Sequence, residues 1–143
     1  MEKNFRELVN IVKKLRAPGG CPWDRQQTLY SLRDQLIEET FEMVDAIDNK
    51  DTQNIKEELG DILLHVIMHS VIAEEENLFS LNDVMKTISE KLIRRHPHVF
   101  GDKLSISVDE VLVNWDEIKK LEKKERENHL DGIPKSLPAI QKA

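Results

Sequence analysis

The sequence is poor in cysteine, glycine, proline and aromatic residues, and it contains no long apolar run. Its 143 residues include a single cysteine, Cys21, which excludes an internal disulfide and a paired-cysteine metal or redox site. Five glycines, five prolines and 5% aromatic residues favour helices over a sandwich or barrel with many tight turns. Because no stretch approaches the ~20 apolar residues that cross a bilayer, we expect no membrane partner.

Acidic residues outnumber basic ones, and the N-terminal segment is charged throughout. The net charge of −6 argues against a nucleic-acid polymer as partner, because the phosphate backbone attracts basic proteins. The segment MEKNFRELVNIVKKLR lacks the apolar core of a signal peptide, so we expect a cytoplasmic location. We predict one domain over residues 1–130 and an extended tail or linker over 131–143, which contains Gly132, Pro134 and Pro138.

Apolar residues at helical spacing predict five helices separated by turn signals. A Pro-Gly-Gly turn ends the first helix, and a loop is expected over residues 21–27. Thr28 and Ser80 are expected N-caps, and Ser107 with Glu110 has the pattern of a capping box. The predicted fold is all-α, a four- to five-helix bundle-like domain that dimerises through helices, with helices over about residues 5–16, 28–49, 52–76, 81–96 and 107–127.

The second and third predicted helices carry an unusual concentration of negative charge. Between residues 38 and 61, two lysines stand against nine acidic residues, which leaves a net charge of −7. On the second helix, Glu38, Glu39 and Glu42 share one side, with Cβ atoms ~5–6 Å apart at the three- and four-residue spacings. Like charges at that spacing destabilise a helix unless a cation lies between them.

The third predicted helix is apolar nearly all round, except for one narrow polar stripe. The stripe holds Glu58, Asp61, His65 and His69. Carboxylates on a buried helix are costly to ionise unless they are paired or bind a metal. If Glu58 and Asp61 face the three glutamates of the second helix, the five carboxylates form an oxygen-rich cage suited to Mg²⁺, with Mn²⁺ as a substitute.

The other acidic and imidazole side chains of this region have simpler interpretations. The remaining carboxylates are expected to form a solvated helix face: Asp45, Asp48, Asp51 and Glu57. His65 and His69 are expected to be core groups bonded to neighbours or supports for the carboxylates, rather than metal ligands. Because the third helix is apolar on most sides in so small a chain, we expect it to be buried in a homodimer, and a tetramer is also possible.

The acidic pattern resembles the EExxE…ExxD signature of the all-α nucleotide pyrophosphohydrolases, and the rest of the chain is similar to the MazG family. The signature falls at EETFE, residues 38–42, and ELGD, residues 58–61. Many MazG proteins carry two such domains, and residues 134–138 resemble the stretch that leads into the second, so we expect either a one-domain form or a part of a longer protein. The similarity to MazG includes further segments: GCPWD at 20–24, KLIRRHPHVF at 91–100, WDEIK at 115–119 and IPKSLP at 133–138.

The resemblance implies a helical, dimeric, Mg²⁺-dependent enzyme for nucleotide-pool house-cleaning. It would hydrolyse a nucleoside triphosphate between the α and β phosphorus atoms, giving monophosphate and pyrophosphate. The family's metal ligands fall on Glu39, Glu42, Glu58 and Asp61, with Glu38 as a further ligand or as the group that activates water.

A triphosphate also needs cations and a surface for its base. Lys91, Arg94 and Arg95 can reach one side of the fourth helix and contact the distal phosphates. Trp115 and Lys119, one helical turn apart, and the loop residue Trp23 are the remaining candidate substrate-binding residues. The three cations of the fourth helix have a structural alternative as solvated helix-end charges, and Trp115 has one as a core anchor.

Other classes of protein are less consistent with the sequence. A carboxylate-bridged di-iron bundle needs Glu-x-x-His, and no histidine here has a glutamate three residues before it. A P-loop NTPase needs GxxxxGK[ST], which is absent. A non-enzymatic helical module that binds a metal or a partner remains open.

Overall fold

The computed structural model describes residues 1–102 and 107–123, and all regular secondary structure in that part of the chain is helical. The all-α prediction is therefore confirmed. Five helices have fifteen or more residues and correspond to the five predicted ones, and two short helices lie between them. In chain order they are α1 Glu2–Arg16, α2 Pro22–Gln26, α3 Arg33–Asp48, α4 Thr52–Glu75, α5 Leu81–Arg95, α6 Pro97–Phe100 and α7 Val108–Glu122.

The chain divides into two compact units, Met1–Ile88 and Ser89–Ala143. In the first unit, α3 and α4 pack along each other and α1 lies against α4. The C-terminal half of α4 supplies most of the core, because its side chains are apolar on nearly every side. The buried cluster consists of Val12, Leu32, Ile67, Met68, Val71 and Ile72.

A three-residue connection turns α3 back onto α4 as an antiparallel hairpin. Lys50 has a φ of 54°, the left-handed conformation that ends many helices. Its N–H donates to Ile47 O, and Asp51 N–H donates to Ala46 O, so the last carbonyls of α3 are satisfied. The Asp51 side chain then caps α4 by accepting from the N–H groups of Gln53 and Asn54.

The segment before α3 differs from the prediction in two respects. Residues 22–26 were expected to be loop but form α2, because Pro22 occupies the first helical turn, where its missing N–H costs nothing. Thr28 was expected to cap the long helix, which begins only at Arg33. Thr28 and Ser31 instead bond each other's backbone N–H, which stabilises a separate turn.

A buried arginine fixes the corner between α1 and α2. The side chain of Arg16 is 7% exposed and pairs with Glu75 through Nε and Nη2. Its Nη1 donates to the carbonyl oxygens of Asp24 and Gln27. At Gly20 a Cβ would lie closer than 3.0 Å to the Lys14 and Leu15 carbonyl oxygens, so the corner requires glycine there.

The described part of the second unit comprises the end of α5, then α6 and α7. The capping box predicted at the start of α7 is present, since Ser107 Oγ accepts from Glu110 N–H while the Glu110 carboxylate accepts from Ser107 N–H. Ser80 and Asp83 exchange similar bonds at the start of α5. The predicted tail over residues 131–143 and the end of the predicted fifth helix beyond 123 lie outside the described residues. Within the described ranges, no helix is long and apolar enough to span a membrane.

Candidate functional site

Three of the predicted carboxylates meet between α3 and α4. Glu39 of α3 and Glu58 and Asp61 of α4 each offer an oxygen, and these oxygens lie within 4.8 Å of one another. The hairpin explains this arrangement, because Glu39 and Asp61 are equally distant in sequence from Lys50 at its turn. Glu39 and Glu58 are half-buried, and Asp61 is exposed.

Glu42 and Glu38 lie beside this group rather than within it. Glu42 and Glu58 line a neighbouring depression of about 310 Å³ at the turn end of the hairpin. The charge of Glu42 acts on both Glu39 and Glu58, and that of Glu38 acts on Glu39. The depression is also lined by Asp45, Ala46, Asn49, Asp51 and Asn54.

Mutual repulsion and burial disfavour ionisation of the cluster. Burial, followed by the charges of Asp61 and Glu42, raises the pKa of Glu39 above its ordinary 4.5. Partial burial and the charges of Glu42 and Asp61 also raise the pKa of Glu58, and a hydrogen bond with Glu39 partly offsets this. Between pH 4.5 and the raised values the folded chain binds more protons than the unfolded one, so its stability falls as the pH rises.

The donor set suits a hard divalent cation. Ligand oxygens around Mg²⁺ or Mn²⁺ lie ~2.0–2.3 Å from the ion, and ligands on opposite sides are therefore up to ~4.6 Å apart. The three oxygens lie within a comparable span. A bound cation would relieve the repulsion that raises these pKa values, which is a reason for the cluster to exist on an otherwise apolar helix.

The two histidines of the stripe on α4 lie inside the first unit. His65 is 8% exposed, and its Nδ1 is buried without a hydrogen-bond partner. Burial, followed by the neighbouring His69, lowers the pKa of His65. His69 Nδ1 is 2.7 Å from the His65 carbonyl oxygen, which favours the tautomer that donates from this atom. Neither histidine belongs to the group of oxygens between α3 and α4.

The cationic candidates lie on α5, in the second unit. Arg94 and Arg95 are its last two residues, and both donate to the carboxylate of Glu122 on α7. Lys91 is half-buried one turn earlier. Glu122 was not among the predicted functional residues. It follows Arg95 by 27 positions and Arg94 by 28, and no spacing rule connects residues so far apart in the chain.

The aromatic candidates are divided between the two units. The Lys119 ammonium lies 5.0 Å from the centre of the Trp115 ring, so one face of the indole already contacts a cation. His96 meets Trp115 edge-on at 5.4 Å between ring centres. Trp23 lies on α2 in the first unit, where it is 52% exposed.

Comparison with known proteins identifies the family. Residues 27–100 match the model of the MazG nucleotide pyrophosphohydrolase domain, and this range includes all five candidate carboxylates. The chain belongs to this family.

Curated relatives match almost the whole chain but are longer. A Thermotoga maritima protein named nucleoside triphosphate pyrophosphohydrolase/pyrophosphatase MazG is 49% identical over 97% of this chain and 53% of its own length. An Escherichia coli protein named nucleoside triphosphate pyrophosphohydrolase is 44% identical over 95% of this chain and 53% of its own length. Bacillus subtilis YabN is 50% identical over 97% of this chain and 29% of its own length. The chain thus spans about half or less of these relatives.

A solved structure supports the same family. The crystal structure of a MazG-related protein from Thermotoga maritima superimposes with a TM-score of 0.68 at 28% identity, over 80% of this chain and 98% of that one.

Replacement of Glu39 by glutamine is expected to stabilise the metal-free protein while removing its response to Mg²⁺. The substitution removes repulsion worth ~0.3–1 kcal/mol, so the Tm in EDTA at pH 7.5 should rise by about 1–4 °C. Thermal unfolding with and without about 10 mM MgCl₂, an excess even over a weak site, measures both effects. Glu7→Gln on α1 is the control and should leave both unchanged. A lower Tm in EDTA for Glu39→Gln would contradict the proposed repulsion.

Proposed function

We propose that this chain is an enzyme that hydrolyses nucleoside triphosphates at the α–β phosphoanhydride, yielding nucleoside monophosphate and pyrophosphate with Mg²⁺ as cofactor. The observation that carries the proposal is the group of three carboxylate oxygens within 4.8 Å between α3 and α4. Membership of the MazG family and the names of its relatives favour this reaction over other hydrolyses.

The carboxylates have separate roles in this proposal. Glu39, Glu58 and Asp61 hold the cation, and Glu42 completes the set from the edge of the depression that it shares with Glu58. A divalent cation here would neutralise the carboxylates and the phosphate oxygens and orient the attacking water. Glu38 is exposed next to Glu39, and we assign it one of two roles. It either binds that cation or accepts the proton released when water attacks the α-phosphorus and the bond to the β-phosphate oxygen breaks.

Six side chains outside the carboxylate group are assigned to substrate binding in this proposal. The phosphates distal to the attack are contacted by Lys91, Arg94 and Arg95. Each arginine guanidinium can donate two parallel hydrogen bonds to a phosphate, and the lysine ammonium adds a positive charge. Trp115 and Trp23 offer aromatic surface to the base, and Lys119 offers a cation beside Trp115.

Replacement of Asp61 by asparagine is expected to abolish metal-dependent turnover while the helical fold is kept. The amide loses the charge that a divalent cation requires, and we expect kcat to fall by at least about 100-fold. Product analysis of wild-type protein should show monophosphate and pyrophosphate with Mg²⁺ and neither with EDTA. Asp48→Asn, an exposed acid on α3 outside the oxygen group, is the control.

Three results would contradict parts of this proposal. Near-normal turnover by Asp61→Asn would contradict the assignment of the carboxylate group as the active site. Diphosphate and phosphate as products would keep a nucleotidase but overturn α–β cleavage. No turnover of any nucleotide would favour the non-enzymatic metal-binding or interaction module.

We also propose that the chain forms a homodimer through the outer face of the α3–α4 hairpin. Seven large apolar side chains on the two helices are 38–52% exposed: Ile37, Phe41, Val44, Ile47, Leu59, Leu63 and Val66. Two residues along a helix correspond to about 200° of rotation, so Phe41 on α3 and Leu59 on α4 point away from the facing pair Glu39 and Asp61. Monomeric proteins rarely expose many large apolar side chains close together, and a second copy of the same hairpin would cover these.

Replacement of Phe41 by glutamate is expected to convert the dimer to a monomer. Each copy would bury the new charge against an apolar surface, a cost that the interface cannot offset. Light scattering coupled to gel filtration measures the mass, and circular dichroism confirms that helices are kept. Ile11→Glu on α1, where the isoleucine is 51% exposed, is the control and should stay dimeric. A dimeric Phe41→Glu variant would exclude this face as the interface, and a tetrameric wild type would require a second interface.

A further inference from the structure

Glu122 bridges two neighbouring arginines within the second unit. Its Oε1 accepts from Arg94 Nε at 2.7 Å, and its Oε2 accepts from Arg95 Nε at 3.1 Å and Arg95 Nη2 at 2.5 Å. The side chain of Arg95 is mostly buried, with 14% exposed, whereas the side chains of Glu122 and Arg94 are 21% and 55% exposed. The bridge joins the last residue of α7 to the last two residues of α5.

Helix preferences do not explain this carboxylate. As the last residue of α7, Glu122 lies at the negative end of the helix dipole, where an anion is disfavoured. Hydrogen bonds from Arg95 and Arg94 nevertheless lower its pKa to about 2, so it stays ionised throughout the neutral range. The two guanidinium groups therefore hold the charge at an otherwise unfavourable position.

The bridge also controls where the arginines point. Consecutive residues on a helix project about 100° apart, so Arg94 and Arg95 would otherwise diverge. One carboxylate gathers both guanidinium groups and contacts them through Nε and, for Arg95, Nη2. This contact does not use Nη1 of either arginine. A guanidinium can bind one anion through its Nε side and a phosphate through its terminal side, because its donors form a planar fork.

We propose that Glu122 is a positioning residue that holds Arg94 and Arg95 side by side. The donors outside the bridge, which are both terminal nitrogens of Arg94 and Nη1 of Arg95, then remain available to the polyphosphate chain of the nucleotide. This inference rests on the proposed function, in which these arginines bind the distal phosphates. Glu122 acts through the arginines and does not itself contact the substrate.

The opposite role for Glu122 predicts the opposite result. A carboxylate can act as an internal anion that the substrate must displace, and its removal would then tighten binding. The use of Nε by both arginines disfavours displacement, since an incoming phosphate can reach Nη1 of Arg95 and both terminal nitrogens of Arg94 without breaking the bridge.

Replacement of Glu122 by glutamine in the full chain tests the proposal. The neutral amide keeps the shape but cannot accept from both arginines with full strength, so we expect KM for the triphosphate to rise about tenfold, with kcat within about twofold. Glu117→Gln, an exposed glutamate on the same helix, should leave both parameters unchanged. An unchanged or lower KM for Glu122→Gln would overturn the proposal.

Two further variants separate positioning from a purely structural tether. Glu122→Asp keeps the charge but is one methylene shorter, so it cannot span both arginines, and we expect KM to rise severalfold. In an Arg94→Ala/Arg95→Ala background, Glu122→Gln should change kcat/KM by no more than about twofold, because the groups through which it acts are gone. A tenfold effect that persists in this background would show a structural role and overturn the proposal.

A binding measurement keeps this test independent of turnover. Calorimetry with an α,β-imido nucleoside triphosphate and Mg²⁺ reports affinity without hydrolysis. Weaker binding by Glu122→Gln than by wild type supports the positioning role even if the wild type forms no product. The lack of product would count against the proposed reaction instead. Equal affinities overturn the positioning role whatever the turnover assay shows.

Discussion

The short connection between α3 and α4 determines which side chains of the two helices face each other, and the site depends on that register. Lys50 takes a left-handed conformation, the last carbonyls of α3 are satisfied by the two N–H groups at the turn, and Asp51 caps α4. With the turn centred on Lys50, Glu39 faces Asp61 and Glu42 faces Glu58. The largest repulsion on each glutamate comes from this facing partner: Asp61 acts most strongly on Glu39, and Glu42 on Glu58.

The same register produces two surfaces with opposite chemistry. One side of the hairpin gathers carboxylates whose pKa values are raised, which destabilises the metal-free chain at neutral pH. The sides of the two helices that are turned away from the carboxylates expose large apolar side chains, which a second copy would cover. Both features cost stability in an isolated, metal-free chain, and both would become favourable once a cation and a partner are bound. The core that tolerates these costs is the apolar C-terminal half of α4, packed against α1.

Sequence periodicity was sufficient for the long helices, and charge segregation was sufficient to select the carboxylates as candidates. The acidic stripe on α4 stood out because the rest of that helix is apolar. Local pattern was insufficient where short-range side-chain bonds decide the structure: Thr28 pairs with Ser31 instead of capping α3, and Pro22 starts an unexpected helix turn. It also missed Glu122, because the contact with Arg94 and Arg95 depends on how α7 returns to α5, and no periodicity within one helix contains that information.

Crystals of the chain soaked with Mn²⁺ and a non-hydrolysable nucleoside triphosphate would test the central claim most directly. Anomalous scattering locates the cation without reference to any assumed ligand. We expect a peak between α3 and α4, ~2.0–2.3 Å from carboxylate oxygens of Glu39, Glu58 and Asp61. An occupied nucleotide with the manganese peak elsewhere, and these three carboxylates free of metal, would contradict the assignment of the hairpin as the metal site.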